Sequence, residues 1–392
     1  MEYRFIETMP QLLYDSFVTR HPHCHLLQSS SWAQVKSRWR HYLTGLEDEA
    51  GNLVAAGLIL IRVTALGQIF WYLPKGPVLD YTDHELRDAY LKGLARFARK
   101  KRASFVRIAP PIIRRLLTAE AQPEPDVEQQ LIGIEKLGFI HQGFSGQTGA
   151  TIQPRYHMIN HYEANFLDQL PAQTKRMIKL AEEYAVTVDR FDRAALSDFS
   201  DLLRRSDDKD SLLLRGQAYL DKIWDAYGEA VYLYLAEIDI PQVLARLMQE
   251  KAELERQNDD LSEPISSIDQ QIEILNRRLL SDGRRQLLAG TLAVEYGTHL
   301  EILYSGSDQD WDKVPAQYAI YAKLMSKAFD RGIRTISIGG VPGSLDESLA
   351  IYRTGFEPQL VETIGEFDLP IKRMMYRGMK TALRLRKKLT RH

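Results

Sequence analysis

LVAAGLILIRV (53–63), QIFWYLPKGPVL (68–79), a long helical stretch (83–101), SFVRIAPP (104–111) and IEKLGF (134–139) follow one another in an order that the chain uses twice. The second passage runs LLAGTLAVEY (287–296), HLEILYSGS (299–307), a helical stretch (313–331), TISIGG (335–340) and IYRTGF (351–356). Each reads as strand, strand, helix, strand, and then a helix that ends in Gly-Phe. Two such units predict a cleft between them, and clefts at unit junctions are where ligands bind.

Composition sets the outer limits. A chain of 392 residues holds two or three domains of ordinary size, and 44% hydrophobic with 26% charged residues describes a soluble globular protein. A formal net charge of −1 excludes a globally basic nucleic-acid binder while leaving room for a local basic patch. The single cysteine, Cys24, rules out an internal disulfide framework and suits a reducing cytoplasm. MEYRFIETMPQLLYDSF (1–17) has acidic residues and no apolar core of a signal peptide, and no run of about 18 apolar residues is present. The expected location is cytoplasmic.

Outside the repeats, the start of the chain reads as a short strand, a helix (10–20), a loop, and a helix that begins near Ser30, with Ser30 or Ser31 as its N-cap. LPAQTKRMIKLAEEYAV (170–186) places Met177, Leu180, Ala181 and Tyr184 on one helical face, and VYLYLAEI (231–238) alternates as a strand. In 241–285, Leu244, Leu247, Leu254 and Leu261 keep heptad phase, and Ile265, Ile268, Ile272, Leu275 and Leu279 resume it after Pro264. That pattern predicts an antiparallel coiled-coil hairpin with its tip near Pro264. It is either a solvated structural arm or one that contacts a partner or tRNA. The tail IKRMMYRGMKTALRLRKKLTRH (371–392) has nine Lys or Arg and no acid, with a partial apolar face through Met375, Met379, Ala382 and Leu383. Such a helix meets nucleic acid, anionic lipid or simply solvent. The expected division is therefore 1–150, then 151–240 with 286–371, the hairpin 241–285, and a basic C-terminal helix 372–392.

Many routine catalytic signatures are missing: there is no GxxxxGK[ST], HExxH, CxxC or GxSxG. His21-Pro-His-Cys-His25 looks like a ligand cluster, but an extended chain puts its successive groups on opposite sides and no second cluster complements it. It reads as a polar loop with no metal, and nothing local lowers the pKa of Cys24.

The repeated unit resembles the acetyltransferase-like (GNAT) unit, whose last helix ends in a pattern such as Tyr-x-x-x-Gly-Phe; Tyr352 to Phe356 fit it. The acyl-CoA pyrophosphate loop of that group, [QR]-x-x-G-x-[GA], occurs nowhere, so the resemblance implies a donor other than coenzyme A. LLQSSSWAQVKSRW (26–39), YLPKGPVLDY (72–81), QTKRMIKLAEEYAVTV (173–188), LLLRGQAYL (212–220), ILYSGS (302–307) and IGEFDLPI (364–371) then resemble the Fem family of peptidoglycan aminoacyltransferases across nearly the whole chain. The QSSSW opening is closest in character to MurM- and MurN-type members. The implied fold is α/β (α+β), two tandem GNAT-like acyltransferase domains with an inserted antiparallel coiled-coil arm. The implied reaction moves an amino acid, commonly Ser, Ala or Gly, from aminoacyl-tRNA to the side-chain amine of the third stem-peptide residue of lipid II or of UDP-MurNAc-pentapeptide. Such an enzyme needs no metal or coenzyme A, and its basic tail implies peripheral contact with anionic membrane.

Site residues follow from the resemblance one at a time. Lys36 matches a family lysine that contacts the phosphate-bearing end of the precursor. Arg215 and Tyr219 match a second phosphate-contacting pair, and i,i+4 spacing on a helix would set them on one face. Tyr304 matches a cleft tyrosine. Arg353 stands where the family often has a lysine credited with stabilising the tetrahedral intermediate; it stays charged and cannot act as a base, but it can stabilise an oxyanion or grip the tRNA end. Ala109 replaces the family's aspartate before Pro110, which removes a carboxylate base there and favours substrate-assisted proton transfer. Two rival readings stay open: an acyltransferase with another activated donor, and an inactive paired scaffold that binds partners through its arm.

Overall fold

The strand-rich passages fold into two sheets. The computed structural model describes residues 2–64, 67–117, 125–144, 152–206, 216–256, 262–341 and 355–389. The N-terminal half supplies β1 (Arg4–Ile6), β2 (Arg40–Glu47), β3 (Leu53–Val63), β4 (Ile69–Leu73), β5 (Phe105–Ile108), β6 (Ile113–Leu116) and β7 (Ile140–His141). The C-terminal half supplies β8 (Tyr156–His161), β9 (Thr187–Phe191), β10 (Val231–Asp239), β11 (Arg285–Tyr296), β12 (His299–Ser307), β13 (Thr335–Val341), β14 (Gln359–Thr363) and β15 (Phe367–Pro370). The repeat is visible in the pairing. β3 and β4 are antiparallel, the helix His84–Lys100 crosses over, and β5 returns parallel to β4. β11 and β12 are antiparallel, Ala316–Asp330 crosses over, and β13 returns parallel to β12.

The continuous apolar run of β3 has a direct cause, which is burial on both faces. Ala55, Ile59 and Ile61 pack with Trp71, Tyr90, Leu94 and Phe97 in the first unit's own core. Ala56, Leu58 and Leu60 point the other way, into a core shared with the second unit. That shared core is filled by Tyr14, Val18, Leu26 and Trp32 from the N-terminal helices, by Phe199, Leu202, Leu220 and Ile223 from Leu196–Arg205 and Gln217–Tyr227, and by Leu292 and Val294 of β11.

The sheets do not keep to a boundary at 150. Their orders are β1-β2-β3-β4-β5-β15-β7 and β6-β14-β8-β13-β12-β11-β10-β9. β6, from the first half, forms the edge of the second sheet against β14, and β15, near the C-terminus, lies between β5 and β7 in the first. Local periodicity sees each strand but not its sheet, which is why the expected divisions 1–150 and 286–371 are crossed. Buried charge fixes the exchange. Arg107 of β5 faces Asp368 of β15 in register and donates to it through Nε (2.6 Å) and Nη2 (2.8 Å), while its Nη1 reaches Glu366 at 3.0 Å. Both carboxylates are buried. Across the other exchanged strand, Glu362 of β14 accepts from Arg114 and Arg115 of β6 and from Arg155. Burial pushes the Glu362 carboxyl up, and Arg155 and Arg115 outweigh it and hold the group below its ordinary value.

The hairpin is present as Ile240–Leu254 and Ser262–Asp282, with Leu244, Leu247, Ile268 and Leu275 buried in the second unit's core and Leu254, Ile272 and Leu279 packed against it. The two helices are joined between Leu254 and Ser262, and Pro264 sits in the first turn of the second, where a missing N–H costs nothing. The basic tail is a helix, Arg373–Leu389. Its start is docked on the first sheet by Tyr376, which packs with Phe70, Tyr72 and Phe105 and donates to Asp368 at 2.8 Å. No described helix is long and apolar enough to cross a membrane.

Removing Arg107 leaves Asp368 and Glu366 buried without their cation. Arg107→Ala is expected to destabilise the protein by about 3–5 kcal/mol in urea unfolding, the usual cost of breaking one side of a buried pair. A loss inside the error of the measurement would contradict this account of the exchanged strand.

Candidate functional site

Two of the motifs quoted above, QSSSW and PKGP, meet in space. Gln28 is buried; its Nε2 donates to the Pro74 carbonyl (2.7 Å) and its Oε1 accepts from the Leu58 amide (2.8 Å). Gly76 lies so close that a Cβ there would stand 2.5 Å from the Gln28 side chain, so this position excludes larger residues. The N-cap of the next helix is Ser29 rather than Ser30 or Ser31, because its hydroxyl accepts from the Trp32 amide. Ser30 is instead held by Asp15, through its amide at 3.0 Å. The helix is short, Ser30–Val35, so Lys36 is its C-cap residue and not a mid-helix residue.

Lys36 and Tyr219 come together although 183 residues separate them: Nζ donates to the phenol oxygen at 2.9 Å. The ammonium also lies 4.8 Å from the Trp32 ring and 5.0 Å from the Tyr219 ring. A half-buried ammonium on an aromatic floor with a phenol beside it offers donors to an anion. The helix that carries Tyr219 begins at Gln217, with Gly216 as its N-cap. Arg215 itself lies outside the described residues, as does Arg353.

Tyr304 reaches the same seam by a different device. The β11–β12 register pairs Leu292 with Tyr304 and Ala293 with Ile302, leaving Leu303 as a bulge. The bulge turns Tyr304 away from the second unit's core, where Ile302 sits, and towards the core shared with the first unit. Lys36, Tyr219 and Tyr304 therefore all border the junction of the two units.

Beside this apolar half of the junction lies a polar half that sequence reading missed. Lys75, between Pro74 and Gly76 in a left-handed conformation (φ 51°), turns inward and is 9% exposed. Its Nζ lies 2.8 Å from His157 Nε2 of β8. Burial lowers the Lys75 pKa to about 8, against the opposing pull of Glu301. Burial, and then Lys75 itself, push the His157 ring well below its ordinary value, so the ring is neutral. Glu301 of β12 lies 3.1 Å from His299 and 3.5 Å from His25. The expected polar loop at HPHCH is thus largely buried at its C-terminal end: Cys24 is a core residue, and the His25 side chain is only 12% exposed. The one signal for Lys75 in the sequence was a lysine between two prolines in a turn; nothing local announced His157 or Glu301.

His25, His299 and Glu301 converge closely enough to be tested as metal ligands. Their hydrogen bonds argue for another role. His25 Nδ1 accepts from the Leu27 amide at 3.1 Å, so the neutral ring carries its proton on Nε2, the nitrogen that faces Glu301. A metal-binding imidazole has the reverse arrangement, with a lone pair towards the ion and the far N–H donating. The trio is read as a buried histidine–carboxylate cluster that balances Lys75.

The described residues also form a narrow pocket at the first sheet's parallel pair. The ladder ends where the Ala109 amide donates to Leu73 at 3.1 Å, and just beyond it Lys75, Ala109 and Pro110 line the pocket. Gln153, Arg155 and Glu366 complete the lining, and the water-accessible volume is about 20 Å³. Burial pushes the Glu366 carboxyl up, and it accepts from the amides of Ile152 and Gln153 and from Arg107. Cys24 has its thiol pushed up to about 12 by burial, which leaves it unreactive.

Comparison with known proteins extends over the same length. The sequence profile described as the FemAB family matches residues 9–384. The chain is 26% identical over 401 aligned positions to the lipid II:glycine glycyltransferase of Staphylococcus aureus strain USA300, covering 93% of this chain and 92% of that protein. The same figures hold for the enzyme of strain NCTC 8325. The crystal structure of FemX superposes with a TM-score of 0.77 at 24% identity over 96% of this chain and 99% of the other. A tandem GNAT protein from the clavulanic acid biosynthesis pathway superposes at 0.50 with 9% identity, over 94% of this chain and 98% of that one. The mixed α/β fold of two GNAT-like units is therefore shown.

Two outcomes are expected of the buried histidines. Nitrogen-15 spectra at about pH 6 should show His25 neutral and protonated on Nε2. Because His25 and His157 stay neutral in the fold while the unfolded chain takes up protons below about 6.5, stability should fall as the pH drops through that value. Thermal melts that are flat between about pH 7 and 5.5 would contradict the burial of these rings.

Proposed function

The chain belongs to the FemAB family, and on that premise we propose that it is a tRNA-dependent aminoacyltransferase of peptidoglycan bridge synthesis. It takes an amino acid from aminoacyl-tRNA and attaches it to the stem-peptide lysine amine of lipid II or of the UDP-linked precursor. The observation that carries this reading is the meeting of Lys36 with Tyr219 at the junction of the two units. It forms a donor-bearing corner at the junction of the two units, in a chain that matches such enzymes over 93% of its length. The relatives named above are lipid II:glycine glycyltransferases, which supports a small residue, glycine, serine or alanine, as the one transferred.

The chemistry asks little of the protein beyond placement. A neutral amine attacks the ester carbonyl, a tetrahedral oxyanion forms, and the ribose hydroxyl leaves with a proton. Positioning the amine against the ester and offering donors to the oxyanion lower the barrier most. Lys36, Arg215 and Tyr219 are assigned to the phosphates of the precursor, Tyr304 to the cleft wall, and Arg353 to the tRNA end or the oxyanion. The aminoacyl-tRNA is a co-substrate, and no coenzyme A or metal takes part in this scheme. The protein works on the cytoplasmic side of the membrane, and the basic helix Arg373–Leu389 suits peripheral approach to anionic lipid or to tRNA.

The test is direct. The protein is incubated with a panel of aminoacyl-tRNAs and a lysine-containing precursor, and labelled amino acid on the precursor is measured. Transfer from glycyl-, seryl- or alanyl-tRNA is the expected result; none from any charged tRNA would favour a different donor or a binding role. Lys36→Ala should raise KM for the precursor roughly ten- to a hundredfold, from the about 1.5–3 kcal/mol of a charged hydrogen bond. Unchanged precursor kinetics would remove Lys36 from the site.

A further inference from the structure

We propose that Lys75 is a substrate-contacting residue, whose ammonium, set against His157 where the ladder of the first sheet's parallel strands ends, binds an oxygen anion of the reacting substrates. The inference rests on the function proposed above and adds a residue that the Lys36–Tyr219 corner does not include.

The argument begins with the balance of charge around the pocket. Glu366 is taken up by Arg107 and two backbone amides, and Arg155 by Glu362 and the Phe144 carbonyl. Lys75 differs from both. An ammonium carries three donors, and its one hydrogen-bond contact among the described residues is His157 Nε2, a nitrogen shared with the Pro154 carbonyl at 3.0 Å. The groups that act on it are His157 from β8, Glu301 from β12 and His25 from the N-terminal segment, with His299 bonded to Glu301 behind them. Glu301 is bonded to His299 and acts on Lys75 only through space. A buried cation with unused donors beside a polar pocket is a costly arrangement, and an incoming oxygen anion relieves it.

Backbone and volume point the same way. The left-handed conformation at Lys75, which ordinary residues adopt rarely, turns the side chain into the junction, and Gln28 fixes the preceding carbonyl. The narrow space of about 20 Å³ has room for one oxygen-bearing group beside Lys75. Two sources supply such an oxygen: a carboxylate of the acceptor peptide, or the oxyanion that forms as the amine attacks the ester. Neither requires Lys75 to give up a proton, and its cation is needed in both.

The pH dependence of kcat and KM with the soluble UDP-linked precursor separates these outcomes. Lys75 loses its charge as the pH rises through about 8, so its contribution should fall off above that value, by about tenfold for each further pH unit. Deprotonation of the acceptor amine acts in the opposite direction. Lys75→Arg stays charged, so it should keep activity within about threefold and lose this alkaline fall; Lys75→Met should lose at least about tenfold at pH 7. A change confined to KM identifies the acceptor carboxylate, and one confined to kcat the oxyanion. The wild-type and Lys75→Arg curves decide the matter even if Lys75→Met does not fold. Wild-type curves with no fall above pH 8, matched by unaltered constants in the variants, would overturn the proposal while leaving the transfer activity intact. Failure of the wild-type protein to use the precursor at any pH would instead remove the proposed function, and this role with it.

Discussion

Exchange of one strand in each direction, locked by buried charge, is the constraint on which the structure depends. Arg107 cannot reach Asp368 and Glu366 unless β15 returns to the first sheet, and Glu362 meets Arg114 and Arg115 only when β6 crosses to the second. Each carboxylate would be prohibitively costly to bury without its guanidinium. The two units are therefore sewn together at the same edge at which the pocket opens. Thr363 at the end of β14 and Gly365 and Glu366 ahead of β15 line that pocket because the exchange carries them there.

The junction that results has two halves of different character. Its apolar half, built on Leu58, Leu60, Trp32, Phe199, Leu220 and Leu292, excludes water and holds the units in register. Its polar half sets Lys75, His157, His25, His299 and Glu301 against one another. The apolar half makes the polar half consequential, since charges shielded from water act more strongly on each other and on anything bound between them. Lys36 and Tyr219 are half-buried at this junction, and Lys75 is buried more deeply. A substrate with a bulky anionic end and a small reacting end fits that gradation.

Much of this was legible in the residues themselves. The repeat of strand, strand, helix and strand is a matter of local periodicity, and the heptads of 241–285 identify the hairpin because apolar seams have their own spacing. The Fem-like segments led to Lys36, Tyr219 and Tyr304, and all three border the junction. A smaller detail failed where local signals compete: three serines in a row left the N-cap ambiguous until Ser29 was seen to accept from Trp32.

The sequence by itself determined the elements, their repetition, the arm and the family, because each is written in spacings of a few residues or in motifs that stay together along the chain. Only the tertiary structure decided which sheet β6 and β15 join, which way Tyr304 faces, and that Lys75, His157 and Glu301 share one buried site. Those outcomes depend on burial and on charges that meet across more than eighty residues of chain, at the least 82 between Lys75 and His157. A local pattern records what a residue is, whereas desolvation and pairing depend on what the folded chain brings to it.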